Sequence, residues 1–317
     1  MSVLVCHNNS VNNWRITRFF LPGILVGLFT IAIATAADAP PASGRPSLAG
    51  PTDSAVKITT THQGGATQFF VQNDEFCEVT MTFEMSTVNL LGSTKFPYTA
   101  TFAPHSKSQA FEVSPVSPGA HWEYSYTNYY KLGSCSAQHD DNYIYQLPYA
   151  PGNRFKVTQA YNGKFSHTGS NQYAIDWDLP EGTLVHAARG GVVVRTKDDS
   201  DKGGATIAFD PFNNYVLIRH DDGTLGHYCH LQKGGVLVKV GQVVNTGDVL
   251  AHSGNTGFSS GPHLHFCVFK TKDGHTRTSV PIRFRTGQEK AVTLTSGHAY
   301  RAPEIQSASA RLTSNTL

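Results

Sequence analysis

His263 and His265 stand two residues apart in the segment 254–266, GNTGFSSGPHLHF, which turns apolar around them. On a β-strand, residues two apart project from the same face, with side chains starting about 7 Å apart. One imidazole can then bind a metal ion while its neighbour handles a proton on a water beside that ion. Three more residues in the second half of the chain, His167, Asp176 and His230, complete a candidate set of five. Zn²⁺ takes imidazole nitrogen and carboxylate oxygen at about 2.0–2.2 Å, and its catalytic sites keep three protein ligands with water in the fourth position. Two His and one Asp meet that count and leave two histidines over, the complement of a metal-dependent hydrolase. The chain has 15 histidines in 317 residues, so the count alone does not single these out. The elements that carry them must.

Those elements read as β throughout. In the second half, apolar runs at 191–196, 215–220, 224–230, 236–240, 248–253 and 264–269 each close on glycine or on an Asp-Gly or Gly-Gly pair. The HDDGT stretch at 220–224 is a hairpin signal. It sets His230 at the end of a strand able to lie beside the one bearing His263 and His265. Nothing shows sustained 3.6-residue periodicity, so the expectation is a compact antiparallel sheet whose floor carries the histidines. His167 precedes a Gly-containing loop, and Asp176 lies in the apolar run before Pro180, Glu181 and Gly182. Cys229, one residue before His230, is expected on the face opposite to it, and Cys267 in phase with His263 and His265. Gly254, Gly257 and Gly261 are expected to make the sharp turns of a groove wall. His186, His220, His227, His252 and His275 read as surface or satisfied core residues.

The first half reads as a separate β-sandwich over residues 53–140. In 77–85, CEVTMTFEM, apolar and polar residues alternate, the mark of a half-buried strand. Similar runs lie at 56–62, 67–72, 98–102 and 110–113. Trp122, Tyr124 and Tyr126 share one strand face, either as a platform for sugar rings or, as a small sandwich requires, as core. The predicted fold class is therefore all-β in two domains, 53–140 and 141–286, followed by a Ser/Thr/Ala-rich tail at 287–317 that reads as weakly ordered.

The amino terminus says where this chemistry takes place. Arg15 and Arg18 precede an apolar stretch from Phe19 to Ile33 and the small residues Ala34, Thr35 and Ala36. That is the layout of a secretory signal peptide spanning residues 1–36, with a mobile leader at 37–52. The expected product is exported, periplasmic or secreted, with no stable membrane span after cleavage. Loss of residues 1–36 leaves 23 basic against 23 acidic residues, which removes any electrostatic case for nucleic acid. An oxidising compartment permits disulfides, and Cys77 and Cys135 are candidates to bridge the early and late strands of the sandwich.

The pieces H-x-G, A-I-D-W, P-E-G-T, A-A-R-G-G-V-V-V, Y-C-H-L and S-G-N-T-G-F-S-S-G-P-H-L-H-F occur in this order over roughly residues 145–286. This stretch resembles the lysostaphin-type (LytM-like) zinc metallopeptidases, which cut the peptides of bacterial peptidoglycan. The resemblance implies that His167, Asp176 and His265 hold Zn²⁺ and that His230 and His263 are catalytic. His263 would take the proton from the attacking water and His230 would donate to the oxyanion, or the reverse. It also implies peptidoglycan peptides as the partner. The family spacing is H-x3-D, whereas eight residues separate His167 from Asp176 here, so a longer loop must fold back. Phase favours Asp176 over Asp178, which is left as a supporting partner. Two other readings stand beside the enzyme: a catalytically silent module that binds the wall or activates other hydrolases, and a lipoyl-like carrier suggested by residues 239–250, which lack a lysine at the hairpin tip.

Overall fold

The computed structural model describes residues 55–289 and 291–304, and before them only backbone strands at Ser2–Asn9, Asn13–Phe20 and Ala32–Ala36. The expected leader, most of the apolar stretch of the expected signal peptide, and residues 305–317 lie outside the described residues. Apart from two short 3₁₀ turns, Gly169–Asn171 and Ile207–Phe212, the regular structure described is β. No described helix is long and apolar enough to cross a membrane.

The chain forms two compact units, one of residues 1–137 with 271–277, the other of residues 138–270 with 278–317. In the first, one sheet runs in the order β1 (Val56–Gln63), β2 (Ala66–Asn73), β6 (Ser106–Pro115), β4 (Leu90–Gly92). The other places β3 (Val79–Val88) between β7 (Trp122–Leu132) and β5 (Tyr98–Phe102). Of the alternating residues read at 77–85, Val79, Met81 and Phe83 join Phe69, Val71 and Phe111 in one buried cluster, while Thr80 and Thr82, read as the polar face of a half-buried strand, are buried too. Tyr124 and Tyr126 lie in that cluster, and the Phe69 ring meets the edges of both at 5.4 Å. These tyrosines are core, not a sugar platform. The expected Cys77–Cys135 bridge does not form. Cys77 is buried in phase with Val79 and Met81, whereas the exposed Cys135 thiol lies 3.3 Å from Thr101 Oγ1, above the opposite face of the sheet. Residues 271–277 fold with this unit. Gly274 N–H donates to Thr82 Oγ1 at 2.9 Å, and a Cβ at Gly274 would collide with Tyr129 O and Thr82 N.

The second unit is built on an antiparallel sheet with the order Val243–Val244, β11 (Gly191–Lys197), β12 (Tyr215–Arg219), β13 (Leu225–Cys229), β16 (Leu264–Thr271), β9 (Ile175–Trp177), β8 (Arg154–Gln159), Ala299–Arg301. A smaller sheet joins β10 (Leu184–His186), β15 (Val249–Ser253) and β14 (Leu231–Val236). The strand expected at 236–240 is displaced to Leu231–Val236; beyond it Val238 is buried, whereas Leu237 and Val240 stay exposed. Ile175, Trp177, Tyr228, Leu264, Phe266 and Val268 turn one face of the large sheet into the core. Each such side chain contributes roughly 1.5–3 kcal/mol by burial. Strict alternation then commits Asp176 and His265 to the other face. The tail expectation is corrected over its first part: Leu294 and Ala302 are buried, and Ala299–Arg301 pairs with β8, so this stretch closes the core.

Candidate metal centre

β9 and β16 are adjacent and antiparallel, with Asp176 directly opposite His265. His265 Nδ1 lies 2.9 Å from Asp176 Oδ1. His167 arrives from the loop after β8. Its backbone N–H donates to Gly163 O at 3.0 Å, and its ring Nδ1 meets Ala160 O at 2.9 Å. A carbonyl can only accept, so Nδ1 carries the proton and Nε2 presents a lone pair. That Nε2 stands 3.1 Å from Asp176 Oδ2 without a hydrogen bond, in a side chain with no exposure. One possible ligand atom from each of His167, Asp176 and His265 lies within 4.8 Å of the others, and all three residues are buried. The repulsion of a lone pair facing a carboxylate oxygen out of reach of water is relieved by a proton or a metal ion between the two atoms; with two imidazoles and a carboxylate converging, the donor set fits a metal ion, and its chemistry fits Zn²⁺.

Protonation states agree with that. Burial raises Asp176, but the hydrogen bond from His265 opposes it, and the carboxyl lies well below its ordinary value. Burial lowers His265, with Asp176 opposing. An ionised carboxylate and a neutral imidazole are what metal ligation requires. Asp178 is exposed and plays no part in this cluster.

His230 and His263 stand beside it, their ring centroids 4.5 Å apart and His230 5.8 Å from His265. His230 follows the last residue of β13 in the left-handed region, φ 64°. Asn213 Oδ1 accepts its backbone N–H at 2.8 Å, and Thr256 O accepts its Nδ1–H at 2.7 Å. Burial, followed by the neighbouring His263 and His265, pushes its pKa down to about 3, so its neutral ring offers a bare Nε2. His263 is half-buried. Its Nδ1–H is held by Gly261 O at 2.8 Å, with Ser259 Oγ at 3.1 Å, so its Nε2 is bare as well. All five residues read from the sequence therefore come together. Gly257, at φ 79°, packs on Asn213, whereas Gly254 and Gly261 do not take left-handed φ.

One placement is corrected. Cys229 pairs with His265 across β13 and β16 and lies on the site's face, its Sγ 3.3 Å from His227. The left-handed turn at His230 ends the alternation that had put it on the far side. Gln159, Asn213, Thr256 and Ser259 went unread in the sequence, since an amide or hydroxyl that orients a neighbour has no spacing of its own.

Residues 170–277 match Peptidase family M23, a span that contains Asp176, His230, His263 and His265 and begins three residues after His167. Among curated proteins, the chain is 33% identical over 122 residues to peptidoglycan DD-endopeptidase ShyA of Vibrio cholerae, covering 37% of this chain and 26% of that protein. It is 36% identical over 98 residues to glycyl-glycine endopeptidase ALE-1 of Staphylococcus capitis, covering 31% and 24%. The matched stretch thus spans about a quarter of the length of each. Among solved structures, the catalytic domain of lysostaphin from Staphylococcus simulans is 25% identical, with 40% of this chain and 87% of that one covered and a TM-score of 0.29. It is over residues 170–277, about a third of its length, that this chain is similar to Peptidase family M23.

Proposed function

We propose that the second unit is a zinc endopeptidase that hydrolyses peptide cross-links of bacterial peptidoglycan, exported behind a signal peptide at 1–36 and accompanied by the sandwich as an accessory domain. The observation that carries this reading is the buried His167–Asp176–His265 cluster beside two histidines tethered through Nδ1. Relatives named as peptidoglycan DD-endopeptidase and glycyl-glycine endopeptidase support the substrate class. His167, Asp176 and His265 are the residues that would hold Zn²⁺. Bound there, it would supply Lewis-acid polarisation of the scissile carbonyl and lower the pKa of a water to about 7.

The chain's own residues account for the proton. Half-buried His263 is open to water and takes the proton of the attacking water on Nε2, while its Nδ1–H stays on Gly261 O. It then returns that proton to the leaving amine. His230 has its only neutral-state proton on Thr256 O, so at rest its Nε2 accepts and orients. Burial and its histidine neighbours hold its pKa down to about 3, so it stays neutral and positions the attacking water by accepting from it. This makes both histidines acceptors in the resting protein.

The test is mass spectrometry of fragments released from purified peptidoglycan by the zinc-loaded chain, beside a His263→Ala variant. Peptides with new amino termini, absent with the variant, are expected, and their masses name the bond. No release from several wall types would shift the reading to a silent wall-binding module. Removal of the metal with a chelator should abolish release, and Zn²⁺ should restore it.

A further inference from the structure

We propose that Gln159 is the positioning residue that makes one centre of His167 and Asp176 despite the eight-residue spacer between them; the proposal rests on the reading of that centre given above. Val157 pairs with Trp177, yet Gln159, rather than Thr158, pairs with Asp176, so β8 carries an extra residue at this point. A bulge of this kind re-aims a side chain. Val157 is buried in the core. Regular alternation would send Gln159 after it, and the bulge turns Gln159 to the face of Asp176 instead.

There a single amide serves both ligands. Nε2 donates to Asp176 Oδ2 at 3.0 Å and to Ser166 Oγ at 2.8 Å. Oε1 accepts the backbone N–H of Phe165 at 3.1 Å and of Ser166 at 3.4 Å, in the two residues that lead into His167. Only this orientation works, because a carboxylate cannot donate and a backbone N–H cannot accept. With His265 on Oδ1 and Gln159 on Oδ2, both oxygens of Asp176 are fixed. Gly163 belongs to the same device, since a Cβ there would overlap Gln159 Cγ. A neutral donor does this without adding charge beside the carboxylate, which a Lys or Arg would do.

The test is metal binding by the full chain, measured for Zn²⁺ by competition with a chromophoric chelator and for Co²⁺ by its visible absorption. Gln159→Met removes all four hydrogen bonds at similar size. Gln159→Glu keeps an acceptor for the Phe165 and Ser166 N–H groups but loses the donor to Asp176. Both are expected to weaken Zn²⁺ about 10- to 100-fold and to alter the Co²⁺ bands, which a residue that merely braces the loop would leave unchanged in Gln159→Glu. Circular dichroism reports folding, and if Gln159→Met does not fold, Gln159→Glu carries the test. Zinc affinity within about twofold of the parent, with the parent's Co²⁺ spectrum, overturns the proposal. A parent chain that binds no Zn²⁺, or binds it equally well as His265→Ala, overturns the reading of the centre and this proposal with it.

Discussion

His230 shows how backbone and chemistry meet in one residue. The left-handed region costs a side-chain-bearing residue roughly 1–2 kcal/mol, and His230 holds it between Asn213 and Thr256. His230→Ala therefore loses both the imidazole and part of the turn. His230→Asn, a residue type that tolerates positive φ, is expected to melt close to the parent while the hydrolysis rate falls about 10²- to 10⁴-fold, as melting curves and peptide release together would show. His263→Ala should lose rate on the same scale yet retain its Zn²⁺, which metal analysis checks. At this scale the sequence was legible where a strand's period of two applies. His263, His265 and Asp176 sit in apolar runs that fix their phase. It was illegible just beyond the strand end, where His230 turns left-handed and Cys229 lands on the site's own face.

At the scale of elements, the β12–β13 hairpin has the site at one end and His220 at its turn. His220 is fully buried. Its Nδ1–H goes to Gly190 O at 2.8 Å, and burial above all lowers its pKa to about 4. The folded protein thus refuses a proton that the unfolded chain accepts below about pH 6.5. Stability is fully present above that pH and falls as pH drops toward 4, by an amount on the order of 3 kcal/mol. Melting temperature against pH should show this acid limb, flattened in His220→Asn. Gly226 opposes the same ring, and a Cβ there would lie 2.7 Å from His220 Nε2, so Gly226→Ala is expected to destabilise the unit by roughly 1–3 kcal/mol through overpacking. The hairpin was readable from HDDGT between two apolar runs. The run at 236–240 misled because only part of it has a surface to bury: Val238 enters the core, whereas Leu237 and Val240 stay exposed.

The whole molecule depends on pairings that local pattern cannot announce. Residues 292–302 look like a tail by composition, yet Leu294 and Ala302 fill the second unit's core and Ala299–Arg301 extends its sheet, an edge whose partner, β8, lies about 145 residues back in the chain. Residues 271–277 look like a simple hairpin connection between β16 and the strand Arg277–Ser279, yet they fold with the first unit. Gly274→Val is expected to destabilise that unit, because its Cβ has no room against Tyr129 O and Thr82 N; hydrogen exchange of the β3 and β7 amides would register the loss. A unit that the chain enters twice cannot be inherited or transplanted as a cassette. A recombination point at residue 137 would pass on a sandwich without its second segment. The strand that bears His265 would meanwhile run on into seven residues shaped for a neighbour left behind. Shuffling this sandwich onto another partner domain therefore takes two compatible junctions rather than one.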